Sequence, residues 1–241
     1  CRILMKARKE IRKKIQAVRL PLGSGSVLQA LPVDELEQVD PFLLVHHGSF
    51  TLEEGMREQD GGVGPHPHRG FSPVTFVYKG SVRHRDSMGN DAEVSEGGTQ
   101  WMHAGSGIVH SERPGRHNVA HGGENEFIQF WVNTPASRKM DPPYYKPISA
   151  SETPVLERDK YRIAVVAGEY EGVKGVATTF SPQLLLRIDA ESGADFNLEI
   201  PDSYNCLIYQ LDGELSINGE KVEGKQLVWF EKEGVSIHIE A

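Results

Sequence analysis

What most constrains this chain is its punctuation. Short segments that are apolar, or that alternate apolar with polar, are cut about every ten residues by Gly, Pro or Asn turns, and that rhythm specifies short strands packed as sandwiches or barrels. Residues 71–78 show it: Val74, Phe76 and Tyr78 alternate with Thr75 and Val77, and the run stops at Gly80. Residues 81–86, 100–102, 127–132 and, after Tyr161, a further series ending at 235–239 read in the same way. The rhythm pauses over 134–147, whose four prolines suit a surface linker. The expectation is an all-β protein of two tandem β-modules: a basic N-terminal arm (1–20), a first module (21–135), a Pro-rich linker (136–160) and a second module (161–241).

Charge narrows the partners. The chain carries a net −8, yet its leader holds Arg2, Lys6, Arg8, Lys9, Arg12, Lys13, Lys14 and Arg19 against Glu10 alone, so the remainder is more acidic than the total. Such a body repels phosphates, and no direct nucleic-acid partner is expected. The leader reads as a frayed or sheet-capping N-terminus. No apolar run approaches the roughly 18 residues of a membrane span, so no membrane partner is expected either. Cys1 and Cys206 are too few for a disulfide framework, which points to a reducing, cytoplasmic setting, with Cys206 a small buried residue.

Two histidine clusters lie within the first module, HPHRGF at 66–71 and GIVHSE at 107–112. His66 and His68 are two apart, so on a strand both rings leave one face; His110 and Glu112 repeat that spacing. The strands between them allow a curled sheet to bring the second pair opposite the first, and three imidazoles with one carboxylate would meet at one ion. The competing reading on spacing alone is a set of satisfied histidines beside Gly turns. Imidazole with one carboxylate and no thiolate favours an open, redox-capable centre over structural zinc, and octahedral Fe(II) would keep up to two positions for water, O2 or a chelating substrate. Fe is the expected ion, with Ni, Cu, Mn and Zn fitting the same donors.

Other residues fall around this set. His84 shares a strand face with Val82 and Asp86 and is a candidate outer partner of a ligand. Trp101, Met102, Phe127, Phe130 and Trp131 are expected to include the cavity lining. His46 and His47 are adjacent, cannot both reach one ion, and are expected on an exposed loop. Aligning the halves places Tyr78-Lys79-Gly80 on Leu211-Asp212-Gly213 and Trp101 on Trp229, which suggests a duplication. His66 and His68 then fall on Glu199 and Pro201, while His238 and Glu240 match His110 and Glu112; on an alternating strand that second pair reads as a solvent face.

DPFLLV at 40–45, HPHRGF at 66–71, HRDSMGN at 84–90 and QWMHAGSGIVHSE at 100–112 resemble the pirin family of the cupin superfamily, and the resemblance covers nearly the whole chain. It implies a bicupin: an N-terminal metal-binding β-barrel and a C-terminal barrel without a full ligand set. It implies His66, His68, His110 and Glu112 as iron ligands, and dioxygenation of a flavonol such as quercetin by O2 with release of carbon monoxide. The family also implies an alternative, an iron-bearing regulatory protein that binds a transcription factor or metabolic enzyme. Two positions depart from the family pattern. Ser72 stands where many members carry Glu, and His103 stands where a small hydroxyl residue is usual, adding an imidazole near the site. The chain ends at Ala241 in or just after a strand, so the second barrel is expected to be either incomplete or completed by N-terminal sequence.

Overall fold

Alternation becomes antiparallel pairing along residues 7–241, which the computed structural model describes; Arg2 and Lys6 of the leader lie outside them. The chain divides into two compact units, one of residues 19–154 with 165–186, the other of residues up to 18 with 155–164 and 187–241. The first strand, β1 (Ile11–Gln16), belongs to the second unit.

The first unit is built from β2 (Val18–Leu22), β3 (Gly25–Leu31), β4 (Phe42–Leu52), β5 (Val63–His68), β6 (Phe71–Lys79), β7 (Ser81–Asp86), β8 (Asp91–Ser95), β9 (Thr99–His103), β10 (Ile108–Pro114), the short helix α1 (Arg116–His121), β11 (Gly123–Asn133) and β12 (Tyr144–Ile148). Seven of these strands pair in the order β12-β9-β6-β11-β4-β3-β2 and four in the order β5-β10-β7-β8. Because side chains alternate across a strand, each central strand of the large sheet serves two environments. Val74 and Phe76 on β6, Trp101 on β9 and Val132 on β11 enter one apolar cluster with Ile148. Thr75, Gln129 and Trp131 point the other way, into a cavity.

The stretch expected as a linker supplies β12, paired to β9 with Pro147 opposite Gln100. The position tolerates proline because β12 is an edge strand, where a missing N–H leaves no ladder partner wanting.

The second unit contains β13 (Val155–Glu157), parts of β14 (Tyr161–Ala167) and β17 (Leu185–Ala190), then β18 (Asp195–Glu199), β19 (Leu207–Gln210), β20 (Glu214–Ile217), β21 (Glu220–Glu223), β22 (Gln226–Phe230) and β23 (Ser236–Glu240); the two-residue strands β15 (Glu169–Tyr170) and β16 (Val173–Lys174) lie in residues assigned to the first unit. Its sheets run β1-β22-β19 and β18-β23-β20-β21 around Phe196, Ile217, Leu227, Phe230 and Ile237. Much of the expected arm is thus sheet: β1 pairs with β22 and buries Ile15. Lys9 is fully buried, and its ammonium donates to the main-chain carbonyls of Tyr204, Glu231 and Lys232, which replace the water a buried charge would lose. Cys206 is buried beside it, and burial pushes its thiol up to about 12, so it stays protonated and inert.

Candidate metal centre

β10 lies between β5 and β7, and this pairing assembles the histidines. His110 stands directly opposite His66 on β5 and opposite Asp86 on β7. The donor nitrogens of His66, His68 and His110 lie within 4.8 Å of one another. Their ring centroids are 4.7 Å apart for His66–His68, 4.5 Å for His66–His110 and 4.8 Å for His68–His110.

For neutral rings, the hydrogen-bond partners assign which nitrogens carry protons. His66 Nδ1 donates to the Gly64 carbonyl at 2.7 Å, leaving Nε2 as a lone pair. Asp86 starts the second chain. Burial alone would raise its carboxyl, but hydrogen bonds from His84, Asn90 and the Met88 N–H outweigh that and hold it below the usual range. The carboxylate accepts from His84 Nε2 at 2.8 Å, so His84 Nδ1 is an acceptor, and His110 Nδ1 donates to it at 3.2 Å. His110 Nε2 is therefore also a lone pair, and it sits 3.0 Å from His66 Nε2. Two facing lone pairs repel, and a cation between them converts that repulsion into ligation; the donor set fits a divalent transition metal. His84 thus stands between Asp86 and His110, with Tyr145 stacked on its ring at 3.8 Å between centroids.

Two of the three rings, His68 and His110, stay neutral and available. Burial, then the neighbouring His110 and His66, push His68 down to about 4, and burial, then His66 and His84, push His110 down to about 3. Burial likewise lowers His46 to about 4. Unfolded, each takes up a proton near 6.5; folded, each does so only near 4 or below. Between those values the unfolded chain binds more protons, so stability falls as pH falls. The metal-free protein should therefore show a melting midpoint that declines steadily from pH 6.5 to about 4; a flat or rising midpoint over that window would contradict the assignment.

Glu112 is placed differently from the imidazoles. The ladder between β10 and β5 is irregular after His110, so Glu112 pairs with Val63 and its carboxylate stands outside the 4.8 Å group. It faces the same cavity, where Gln129 Nε2 donates to its oxygens at 2.8 and 3.1 Å and Thr75 Oγ1 donates at 3.3 Å. Trp131 Nε1 donates to Gln129 Oε1 at 3.1 Å, which fixes the amide so that its NH2 faces Glu112.

The cavity measures about 1200 Å³ and is lined chiefly by apolar residues, among them Leu44, Phe50, Met56, Phe71 and Phe127. The Phe127 ring lies across Gly48, its cross-strand partner; a Cβ there would stand 2.6 Å from the ring. Trp131 meets Phe71 at 4.5 Å and the edge of His68 at 5.2 Å, joining the aromatic wall to the imidazoles.

Several sequence assignments change. Trp101 is 1% exposed in the apolar cluster on the far side of the large sheet, and Phe130 packs against that cluster rather than lining the cavity. Met102 is buried with Ala104 and Ile108 against Tyr145, behind His84. His103 is buried between Tyr144 and Phe180, away from the cavity wall, with its Nδ1 3.3 Å from Ser72 Oγ. The two departures from the family pattern are therefore one contacting pair. His46 and His47 are strand residues of β4, not loop residues: His47 is buried against Glu126 at 3.0 Å, and His46 lines the cavity. Sequence reading gave no role to Gln129 or Thr75, and none to Asp86 beyond its place on the strand face of His84. Gln129 left a signal, a lone amide inside the aromatic strand 127–132. His238, Glu240 and Asp195 form a second cluster; His238 bonds Asp195 at 2.7 Å, and Ser216 holds Glu240 on an exposed face.

Two tandem antiparallel β-barrels, the first enclosing a histidine-rimmed cavity, define a bicupin. Comparison with known proteins agrees: the pirin family model matches residues 25–132, and the model of the pirin C-terminal cupin domain matches 185–241. The chain belongs to the pirin family. It is 34% identical over 207 residues to a Pseudomonas aeruginosa protein provisionally named a quercetin 2,3-dioxygenase, covering 85% of this chain and 72% of that one. A crystal structure of quercetin 2,3-dioxygenase from Acinetobacter baumannii superposes with a TM-score of 0.92 at 35% identity, over 98% of this chain and 83% of that one. The bacterial pirin YhhW from Escherichia coli, solved in complex with nickel(II), shares the fold with a TM-score of 0.72 at 21% identity, over 94% and 93% of the two chains. Among the described residues no helix is long and apolar enough to cross a membrane.

Proposed function

We propose that this protein is a metal-dependent dioxygenase that cleaves flavonols such as quercetin with O2, the ion being held by His66, His68 and His110, with Glu112, outside their group but facing the same cavity, as the carboxylate that would join them. The observation that carries this reading is the pair of Nε2 lone pairs 3.0 Å apart at the edge of a largely apolar cavity of about 1200 Å³. Pockets for drug-sized ligands run from about 300 to 1,000 Å³, so a three-ring flavonol fits. The likeness to a quercetin 2,3-dioxygenase at 35% identity supports it.

When bound, a divalent metal, Fe in the first place and otherwise Ni, Cu, Mn or Zn, polarises oxygens of the substrate and supports reaction with O2. The chain's own groups do the rest. Asp86 and His84 hold the proton on His110 Nδ1 so that Nε2 stays a donor. Gln129, oriented by Trp131, holds Glu112 beside the same opening. Phe127, Phe71 and Trp131 offer aromatic faces to a planar substrate and keep water from it.

Fe(II)-loaded protein should consume quercetin and O2 and release carbon monoxide, while His68→Ala, given the same metal, should do none of these. Quercetin loss no faster than with free Fe(II) in buffer would sink the enzyme reading.

A further inference from the structure

One cavity group, His46, takes no part in holding the ion or Glu112. Across the large sheet, Gln29, His46, Gln129 and Thr75 are successive cross-strand partners on β3, β4, β11 and β6, forming a polar row in an otherwise apolar wall. The Gln129 and Thr75 end serves Glu112. The other end is fixed as firmly. Gln29 Nε2 donates to the Pro32 carbonyl at 2.6 Å, so its Oε1 is the acceptor in the 2.7 Å contact with His46 Nε2. His46 Nε2 therefore carries the proton and Nδ1 the lone pair. Among the described residues nothing donates a hydrogen bond to that Nδ1, and the half-buried ring lines the cavity. Burial keeps the ring neutral.

A neutral, oriented acceptor set in an apolar wall selects a hydrogen-bond donor. A carbonyl, carboxylate or phosphate oxygen would meet it lone pair to lone pair, and an unsubstituted ring would leave it unsatisfied. β4 and β6 flank β11, so His46 and Thr75 are two strand spacings apart, about 10 Å. That distance is on the scale of a fused aromatic skeleton. We infer that His46 is a specificity-determining residue that accepts a hydrogen bond from a phenolic hydroxyl carried outside the ring that reacts, so that the site takes polyhydroxylated flavonols in preference to those with the 3-hydroxyl alone. This rests on the flavonol reading above.

The test is calorimetric titration of the full chain under nitrogen, where turnover cannot occur, with quercetin and with 3-hydroxyflavone. Wild-type protein should bind quercetin more tightly. In His46→Phe the quercetin affinity should fall roughly three- to tenfold, the weight of one neutral hydrogen bond, with 3-hydroxyflavone binding unchanged. His46→Gln, which restores an acceptor, should recover part of the preference. Equal preference for quercetin in wild type and His46→Phe would overturn the assignment while leaving the flavonol reading intact. Failure of wild type to bind either compound would overturn both.

Discussion

Replacing His110 by Ala is expected to leave a folded chain that no longer retains metal through dialysis. His110 supplies one of the two lone pairs that face each other at 3.0 Å, and its other nitrogen is the link to His84 and Asp86. Truncation removes a donor and uncouples the outer pair together. His66 and His68 remain, but two imidazoles with Glu112 standing outside their group are a weak set. The comparison is the metal-to-protein ratio of wild type and variant purified and dialysed side by side, with far-UV circular dichroism to show that the sheets persist. An unchanged ratio would mean that the ion, if held at all, is held elsewhere.

Trp101→Ala should do the reverse, costing stability and sparing the metal. Trp101 is 1% exposed and packs with Val74, Phe76, Val132 and Ile148. Emptying such a site costs about 3–5 kcal/mol, the loss of transfer energy plus the residual cavity. For a chain of this size that lowers the melting midpoint by roughly 10 °C. Because the ring lies on the face of β9 away from the cavity, metal content and flavonol binding should be retained. Loss of metal at unchanged stability would place the ring at the site, contrary to its packing.

These two residues also show where sequence reading stops. The motif HPHRGF, read as strand, put His66 and His68 on one face, and the structure seats them together within 4.8 Å of His110. The turns cut the chain into strands close to those found, such as 81–86, and the duplication anticipated a bicupin. Trp101, Phe130 and Trp131 could not be sorted in the same way. β6 and β9 are buried on both faces, and on β11 apolar residues occupy both, so the pattern does not say which face meets the cavity. Likewise the alternation of His110 and Glu112 did not reveal the irregular register that sets the carboxylate apart.

The sequence by itself determined the strand rhythm, the two-barrel fold class and the spacing that sets His66 and His68 on one strand face, because each depends on spacing within a few residues of one strand or turn. Only the tertiary structure decided that β1 of the basic leader completes a sheet with β22, that His46 sits in a strand facing the cavity, and that Gln129 holds Glu112 while Asp86 and His84 set the tautomer of His110. Each of these is a hydrogen bond or a face chosen by the register of strands distant in the chain, and local periodicity carries no record of which strand will be the neighbour.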